Sequence, residues 1–142
     1  MDNAPLIFQY LSAMGEHNAA DMYLTVGLPP MLRGDKDLIK LSDEVLTPDS
    51  VEEILNSMLT SRQRRDFDAQ NELNTALDMG GHGRFRVNVL RQRQFPALVI
   101  RRIVSEIPSF SELRLPQILG DLAMEKRGLI LVTGMTGSGK ST

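Results

Sequence analysis

The end of the chain carries residues whose types and spacing could bind the phosphates of a nucleotide. Residues 134–141 read G-x-x-x-x-G-K-S, which is the Walker A pattern. Gly134, Gly137 and Gly139 have no Cβ, so the backbone can take positive φ angles and direct successive N–H groups toward one anion. This stretch therefore predicts a loop that wraps a phosphate chain.

Two side chains of the pattern supply what ATP and Mg²⁺ need from such a loop. Lys140 would bring its ammonium group to the β- and γ-phosphates, and Ser141 would place its hydroxyl on Mg²⁺. The apolar run 129–133 comes directly before the loop and predicts the buried strand that this motif requires. An ordinary glycine-rich turn between a strand and a helix is the alternative, and the predicted strand favours the phosphate site. The predicted nucleotide-binding residues of the loop are Gly134, Met135, Thr136, Gly137, Ser138, Gly139, Lys140, Ser141 and Thr142.

The chain before this loop predicts an α+β domain. Apolar residues at helical spacing indicate helices, and alternating apolar and polar residues indicate strands. Helices are expected over 5–17, 47–59, 62–69 and 117–124. Strands are expected over 21–26, 31–33, 38–41, 73–77, 84–93 and 97–104. Residues 1–103 would then form an antiparallel sheet with helices covering one face.

A run of arginines between Gly80 and Val104 would attract an anion, because it contains no acidic residue. The arginines could lie on a solvated sheet face and pair with acids from elsewhere in the chain. They could bind nucleic acid, although Phe85 and Phe95 are few aromatic residues for that role. They could instead reach a nucleotide held by the following domain or by a neighbouring subunit, as arginine fingers do, and this interpretation is preferred. The arginines of the run are Arg84, Arg86, Arg91, Arg93, Arg101 and Arg102.

Composition excludes several other functions. The chain has 142 residues, 42% hydrophobic and 24% charged, which is typical of a globular protein. The net charge of −2 argues against a general nucleic-acid-binding surface. The sequence lacks cysteine, and His17 and His82 have no partners at metal-ligand spacing, so we expect neither disulfides nor a histidine metal site. No apolar run is long enough to cross a bilayer, and the first residues do not read as a secretion signal.

Several segments, in this order along the chain, resemble the type IV pilus retraction ATPases, the PilT/PilU branch of the secretion ATPase superfamily. The resemblance covers nearly the whole chain and is more specific than the Walker A pattern alone. The segments are Ala20-Asp-Met-Tyr-Leu24, Gly27-Leu-Pro-Pro30, Gly83-Arg-Phe-Arg-Val-Asn88, Ile100-Arg-Arg-Ile103 with Ile107-Pro108, Leu115-Pro116 and Arg127-Gly-Leu-Ile-Leu-Val-Thr-Gly134.

The resemblance implies a domain organisation and a place in the cell. It implies a PAS-like N-terminal domain over 1–103, a linker over 104–115, and the truncated start of a RecA-like α/β ATPase domain over 116–142. Such ATPases are similar in forming cytoplasmic homohexameric rings, peripheral at the inner membrane, where ATP turnover withdraws pilin subunits. The partners so implied are a pilus platform protein of the inner membrane and a related retraction ATPase, with no nucleic acid.

The resemblance also assigns two arginines and predicts what the 142 residues lack. Arg86 and Arg101 match the positions at which the family brings arginines to the nucleotide phosphates. The acidic and histidine motifs that follow the loop in the family are absent here, so we expect this polypeptide alone to be inactive. Two alternatives to a retraction ATPase stay open. The residues could form a non-catalytic module that docks subunits or a platform protein, or they could belong to a pilus extension or type II secretion ATPase.

Overall fold

The computed structural model describes residues 5–34, 37–103, 108–135 and 138–140, apart from the side chain of His82. The chain divides into two compact units, Met1–Ser105 and Glu106–Thr142. The predicted linker begins in residues outside the described part, and the domain boundaries stay a prediction. The first unit holds the sheet and three of the α-helices.

The helices of the first unit lie within two residues of the ranges expected from the sequence. They are α1 (Leu6–Glu16), α2 (Pro48–Met58) and α3 (Ser61–Gln70). The start of α2 is fixed by a reciprocal cap: the Ser50 N–H donates to Thr47 Oγ1 over 3.1 Å, and the Thr47 N–H donates to Ser50 Oγ over 2.9 Å. Pro48 occupies the first turn, where its missing N–H costs nothing. A similar cap at Thr60 begins α3.

Six antiparallel strands form one sheet in the order β3-β2-β1-β6-β5-β4. Strand β6 begins two residues earlier than predicted, because Arg93 and Gln94 make a tight turn with φ angles of 48° and 75°. Pairing with β5 therefore resumes at once. Val104, at the predicted end of this strand, lies outside the described residues. The strands are β1 (Asp21–Thr25), β2 (Met31–Arg33), β3 (Leu38–Lys40), β4 (Glu72–Asp78), β5 (Arg84–Gln92) and β6 (Phe95–Ile103).

The two faces of the sheet have different environments. Strand β5 alternates, with Phe85, Val87 and Val89 fully buried in the core that the helices complete. Its intervening residues lie on the opposite face, where Arg84 and Arg86 are exposed. We call this opposite side of the sheet the open face. The predicted α+β architecture with helices on one face of an antiparallel sheet is confirmed.

The second unit has little regular structure among its described residues. Its helix α4 spans Ile118–Ala123, inside the range predicted. The predicted strand over 129–133 is wrong: these residues take no regular secondary structure, and Leu129 and Leu131 are 82% and 75% exposed. A strand is stable when its N–H and C=O groups pair with a neighbour, and the described part of this unit supplies no such neighbour.

Candidate nucleotide-binding site

The glycine-rich loop at the end of the second unit is described only in part. Its described residues are Gly134, Met135, Ser138, Gly139 and Lys140. Four further loop residues proposed from the sequence lie outside the described residues, and their roles, including that of Ser141 toward Mg²⁺, stay predictions. The four are Thr136, Gly137, Ser141 and Thr142.

Two donors of this loop converge on a single carbonyl group. The Lys140 ammonium donates to the Met135 carbonyl oxygen over 2.6 Å, and the Ser138 N–H donates to the same oxygen over 3.2 Å. The three residues are exposed. Because an anion would outcompete a neutral carbonyl for an ammonium group, a phosphate could draw Lys140 away from Met135. In the structure, this hydrogen bond holds the Lys140 side chain against its own loop.

The glycines of the loop serve two different geometric needs. Gly139 has a φ angle of 84°, a backbone conformation that residues with a Cβ rarely adopt. Gly134 does not use a positive φ, but a Cβ at this position would lie 2.6 Å from Ser138 Oγ. The absence of a side chain at Gly134 therefore leaves room for the Ser138 hydroxyl.

Arg101, a predicted phosphate ligand, makes an ion pair on the open face of the first unit. Its Nε donates to Asp21 Oδ1 over 2.7 Å, and its Nη2 donates to Asp21 Oδ2 over 3.4 Å. The Asp21 carboxylate raises the pKa of Arg101, chiefly through this hydrogen bond. Asp21 is nearly buried, whereas the side chain of Arg101 is 66% exposed. Nε and Nη2 of the guanidinium group are thus held by Asp21, and most of the side chain remains exposed to solvent.

Arg86, the second predicted arginine, lies next to Arg101 on the neighbouring strand. The two residues are register partners in the β5–β6 pair, so their side chains share the open face. Arg86 is exposed and makes no side-chain hydrogen bond or ion pair to any residue that the structure describes. The two guanidinium groups and the single carboxylate of Asp21 leave a net positive charge that suits an anion.

The other arginines of the run divide into two groups. Arg91 is held in place: it donates to Asn71 Oδ1 over 2.8 Å, pairs with Asp68 at 3.4 Å and lies 5.1 Å from the centre of the Phe67 ring. This arginine fits the interpretation that acids from elsewhere pair with the run. The remaining three make no side-chain bond among the described residues, and they are Arg84, Arg93 and Arg102.

The residue that sequence reasoning missed is Asp21. The sequence shows an acid at the start of an alternating apolar strand, with no sign of its partner. The register of β1 against β6 places Asp21 opposite Arg101, 80 positions away in sequence. The isolated acid at the start of that strand was the one signal in the sequence, and it does not identify the partner.

Metal ligation by protein side chains alone finds no support in the described ranges. Over 5–34, 37–103, 108–135 and 138–140, no three His, Asp or Glu residues gather closely enough to hold an ion. Among the helices of these same residues, none has both the length and the apolar character of a membrane span.

Known proteins resemble the chain over nearly all of its length. It is 39% identical over 132 residues to the type IV pilus ATPase PilU of Pseudomonas aeruginosa, covering 93% of this chain and 35% of PilU. It is 35% identical over 136 residues to the pilus retraction ATPase PilT of the same organism, covering 96% of this chain and 40% of PilT. No family model matches the chain.

The fold agrees with a solved structure of the same group. The crystal structure of the pilus retraction motor PilT with bound ADP superimposes with a TM-score of 0.79 at 36% identity. That match covers 96% of this chain and 40% of the PilT chain. The chain thus spans well under half the length of the relatives it matches. Over the residues compared, this chain is a homologue of the type IV pilus ATPase PilU and of the pilus retraction ATPase PilT.

Proposed function

We propose that the protein containing these residues is an ATPase that powers type IV pilus retraction and hence twitching motility. The observation that carries the proposal is the Walker A pattern at 134–141, in a chain whose relatives are named pilus ATPases. The ADP bound to PilT supports nucleotide use by this group. ATP and Mg²⁺ are the proposed ligands.

The proposed nucleotide ligands are residues of the loop and two arginines, which reach a nucleotide held by the following domain or by a neighbouring subunit. Backbone N–H groups of the loop surround the phosphates, Lys140 neutralises their charge, and Ser141 binds Mg²⁺. Arg86 and Arg101 contact phosphate oxygens during turnover. Their exposure and the anchoring of Arg101 by Asp21 support this role.

The proposed assembly is a homohexameric ring at the cytoplasmic side of the inner membrane. Residues 1–103 form a PAS-like domain, 104–115 a linker, and 116–142 the start of a RecA-like ATPase domain. A pilus platform protein of the membrane and a related retraction ATPase are the proposed partners, and nucleic acid is not one. The fold shared with PilT supports these assignments by analogy.

Residues 1–142 alone do not hydrolyse ATP in this proposal. No acidic residue follows Lys140 within them to complete a magnesium site or to orient the attacking water. A phosphate-release assay on this polypeptide should show no turnover above background.

The test of the ATPase is turnover by the intact protein with Lys140→Ala. We expect phosphate release to fall by about 100-fold or more, because transition-state charge on the phosphates loses its cation. Lys126→Ala, at an exposed lysine of the same unit, is the matched control and should keep full activity. Sedimentation should show the same assembly for both variants. If Lys140→Ala keeps turnover, the nucleotide site is wrongly assigned.

The two alternatives predict other results. If the residues form a non-catalytic docking module, the intact protein would show no ATP turnover. Substitutions on the surface of 1–103 would then abolish assembly, and Lys140→Ala would leave assembly unchanged. An extension ATPase would hydrolyse ATP, but cells without it would lack pili. A type II secretion ATPase would also hydrolyse ATP, but cells without it would keep pili and motility and lose secretion. Cells that lack a retraction ATPase should instead keep pili and fail to move.

A further inference from the structure

Two adjoining cavities lie in the first unit where β1 leads into the loop before β2. One has a volume of about 480 Å³ and the other of about 660 Å³. Thr25, Leu28 and Gln92 line both. We call this pair of cavities the Leu28 groove, and it is separate from the residues assigned above to the nucleotide.

Leu28 lies between the two cavities with its backbone fixed and its side chain in solvent. Its N–H donates to the Thr25 carbonyl oxygen over 3.1 Å, and its own carbonyl oxygen accepts from the Leu46 N–H over 2.9 Å. The neighbouring Gly27 also donates to Leu46, over 2.8 Å. Nevertheless Leu28 is 55% exposed. An exposed apolar side chain on a hydrogen-bonded backbone is suited to anchor a partner, because binding need not order the backbone further.

The groove is bordered by further exposed apolar side chains. Leu38, from β3, is 56% exposed in one cavity, and Phe95, from β6, is 45% exposed in the other. With Leu28 they make an apolar strip across one end of the sheet. Strips of this kind mark interaction surfaces more often than isolated apolar residues do.

The charges along this strip are mainly positive. Arg33 lines one cavity and Arg93 the other, and neither side chain bonds to a described residue. Asp37 is the one acid among the described lining residues. A partner that covered the strip would therefore need carboxylates near each arginine.

The turn that presents Arg93 is held in an unfavourable conformation. Arg93 and Gln94 both have positive φ angles, in a two-residue turn that normally contains Asn or Gly. The guanidinium of Arg91 donates to the Gln94 carbonyl oxygen over 3.2 Å and holds the turn. Such strained positions gather at functional sites, and this one directs an arginine to the groove.

We propose that the Leu28 groove docks an extended acidic segment of a partner protein. Apolar side chains of that segment fill the two cavities on either side of Leu28, and its carboxylates pair with Arg33 and Arg93. This docking is independent of the proposed ATPase activity, so Lys140→Ala leaves it unchanged.

The test begins with phage-displayed random heptapeptides selected on the intact protein. The expected consensus has Leu, Ile or Phe flanked by Asp or Glu. A fluorescein-labelled synthetic peptide of that consensus is then titrated by fluorescence anisotropy against three variants. Leu28→Asp and the double change Arg33→Glu/Arg93→Glu should each weaken binding about tenfold or more, as hot-spot and charge-pair losses do.

Arg62→Glu is the control for these variants. Its side chain is 88% exposed on α3, away from the groove, and the change should leave peptide affinity within about twofold. All the changed side chains are exposed, and circular dichroism should show an unaltered fold. A basic consensus, no consensus, or a peptide that binds Leu28→Asp as well as the parent protein would overturn the proposal. Self-association that Leu28→Asp abolishes would also overturn it, because the occupant would then be a second copy.

Discussion

At the scale of single residues, the open face is organised by one nearly buried acid. Asp21 accepts two hydrogen bonds from Arg101, and Arg86 lies beside this pair without a described partner of its own. A carboxylate taken out of water costs free energy unless a cation compensates it. The contributions of Asp21 and Arg101 to the free energy of unfolding should therefore be coupled, and the contribution of Arg86 should be independent of both.

We predict that Arg101→Gln lowers the free energy of unfolding by about 2 kcal/mol, because Asp21 keeps its charge but loses the guanidinium group of Arg101 as its partner. Adding Asp21→Asn should recover about half of that loss, since the buried charge is removed. Arg86→Gln, as the control, should change stability by less than about 0.5 kcal/mol. Urea unfolding is measured for the parent protein, these three variants and the single variant Asp21→Asn. Strictly additive effects of the Asp21 and Arg101 changes would contradict the pairing.

A second prediction concerns the pKa of Glu112 in the second unit. The hydroxyl and the N–H of Ser109 each donate to Glu112 Oε2 over 2.7 Å, and these bonds lower the pKa of Glu112. Because the pKa is lowered in the folded chain, their contribution is present above the ordinary pKa of Glu and is lost as pH falls through the folded value. Ser109→Ala should raise the Glu112 pKa in an NMR carboxyl titration. Ser111→Ala should leave it unchanged, and an equal shift in both variants would contradict this account.

At the scale of elements, helix α3 shows how little apolar surface can hold a helix. Its sequence is mostly charged and polar, and Phe67 is its one buried residue. Polar contacts add to this anchor: Gln63 donates to Thr75 Oγ1 of β4 over 2.8 Å, and Arg64 pairs with Glu52 of α2 at 2.6 Å. The pKa of Arg64 is raised by its hydrogen bonds to Glu52 and Asp68.

We predict that Phe67→Ala lowers the free energy of unfolding by about 3–5 kcal/mol and speeds hydrogen exchange throughout α3. The ring fills the core, and the helix has no other buried side chain to replace it. Phe95→Ala is the matched control because this ring is 45% exposed, and it should cost less than about 1 kcal/mol. Unfolding in urea with amide exchange measures both. If the amides of α3 keep their protection from hydrogen exchange in Phe67→Ala, the polar contacts alone hold the helix, which would contradict this prediction.

At the scale of the whole molecule, local signals in the sequence predicted most helices and strands but not which strands pair. The helix predicted over 47–59 and the strand predicted over 84–93 depend on nearby residues, and both predictions are confirmed. The pairing of β1 with β6 depends on contacts between distant segments, so the partner of Arg101 could not be predicted. The run 129–133 has the composition of a buried strand, but composition cannot supply the neighbouring strand that it needs.

The candidate site was predictable to a similar extent. The pattern of glycines with Lys140 can be read directly because each residue type has a separate physical role. The contact between Lys140 and the Met135 carbonyl oxygen depends on the conformation of the loop and could not be read from the sequence. The exposure of Arg86 follows from the alternation of its own strand, whereas the anchoring of Arg101 by Asp21 depends on the pairing of β1 with β6.

The affinity of the intact protein for Mg²⁺-ATP, measured by isothermal titration calorimetry, tests the central claim most directly. We predict saturable binding that Lys140→Ala weakens about tenfold or more, equivalent to at least about 1.4 kcal/mol, because the phosphates lose their cation. Lys126→Ala should bind as the parent protein does. Equal affinity in the parent protein and Lys140→Ala, or no binding by the parent protein, would contradict the assignment of residues 134–141 to the nucleotide.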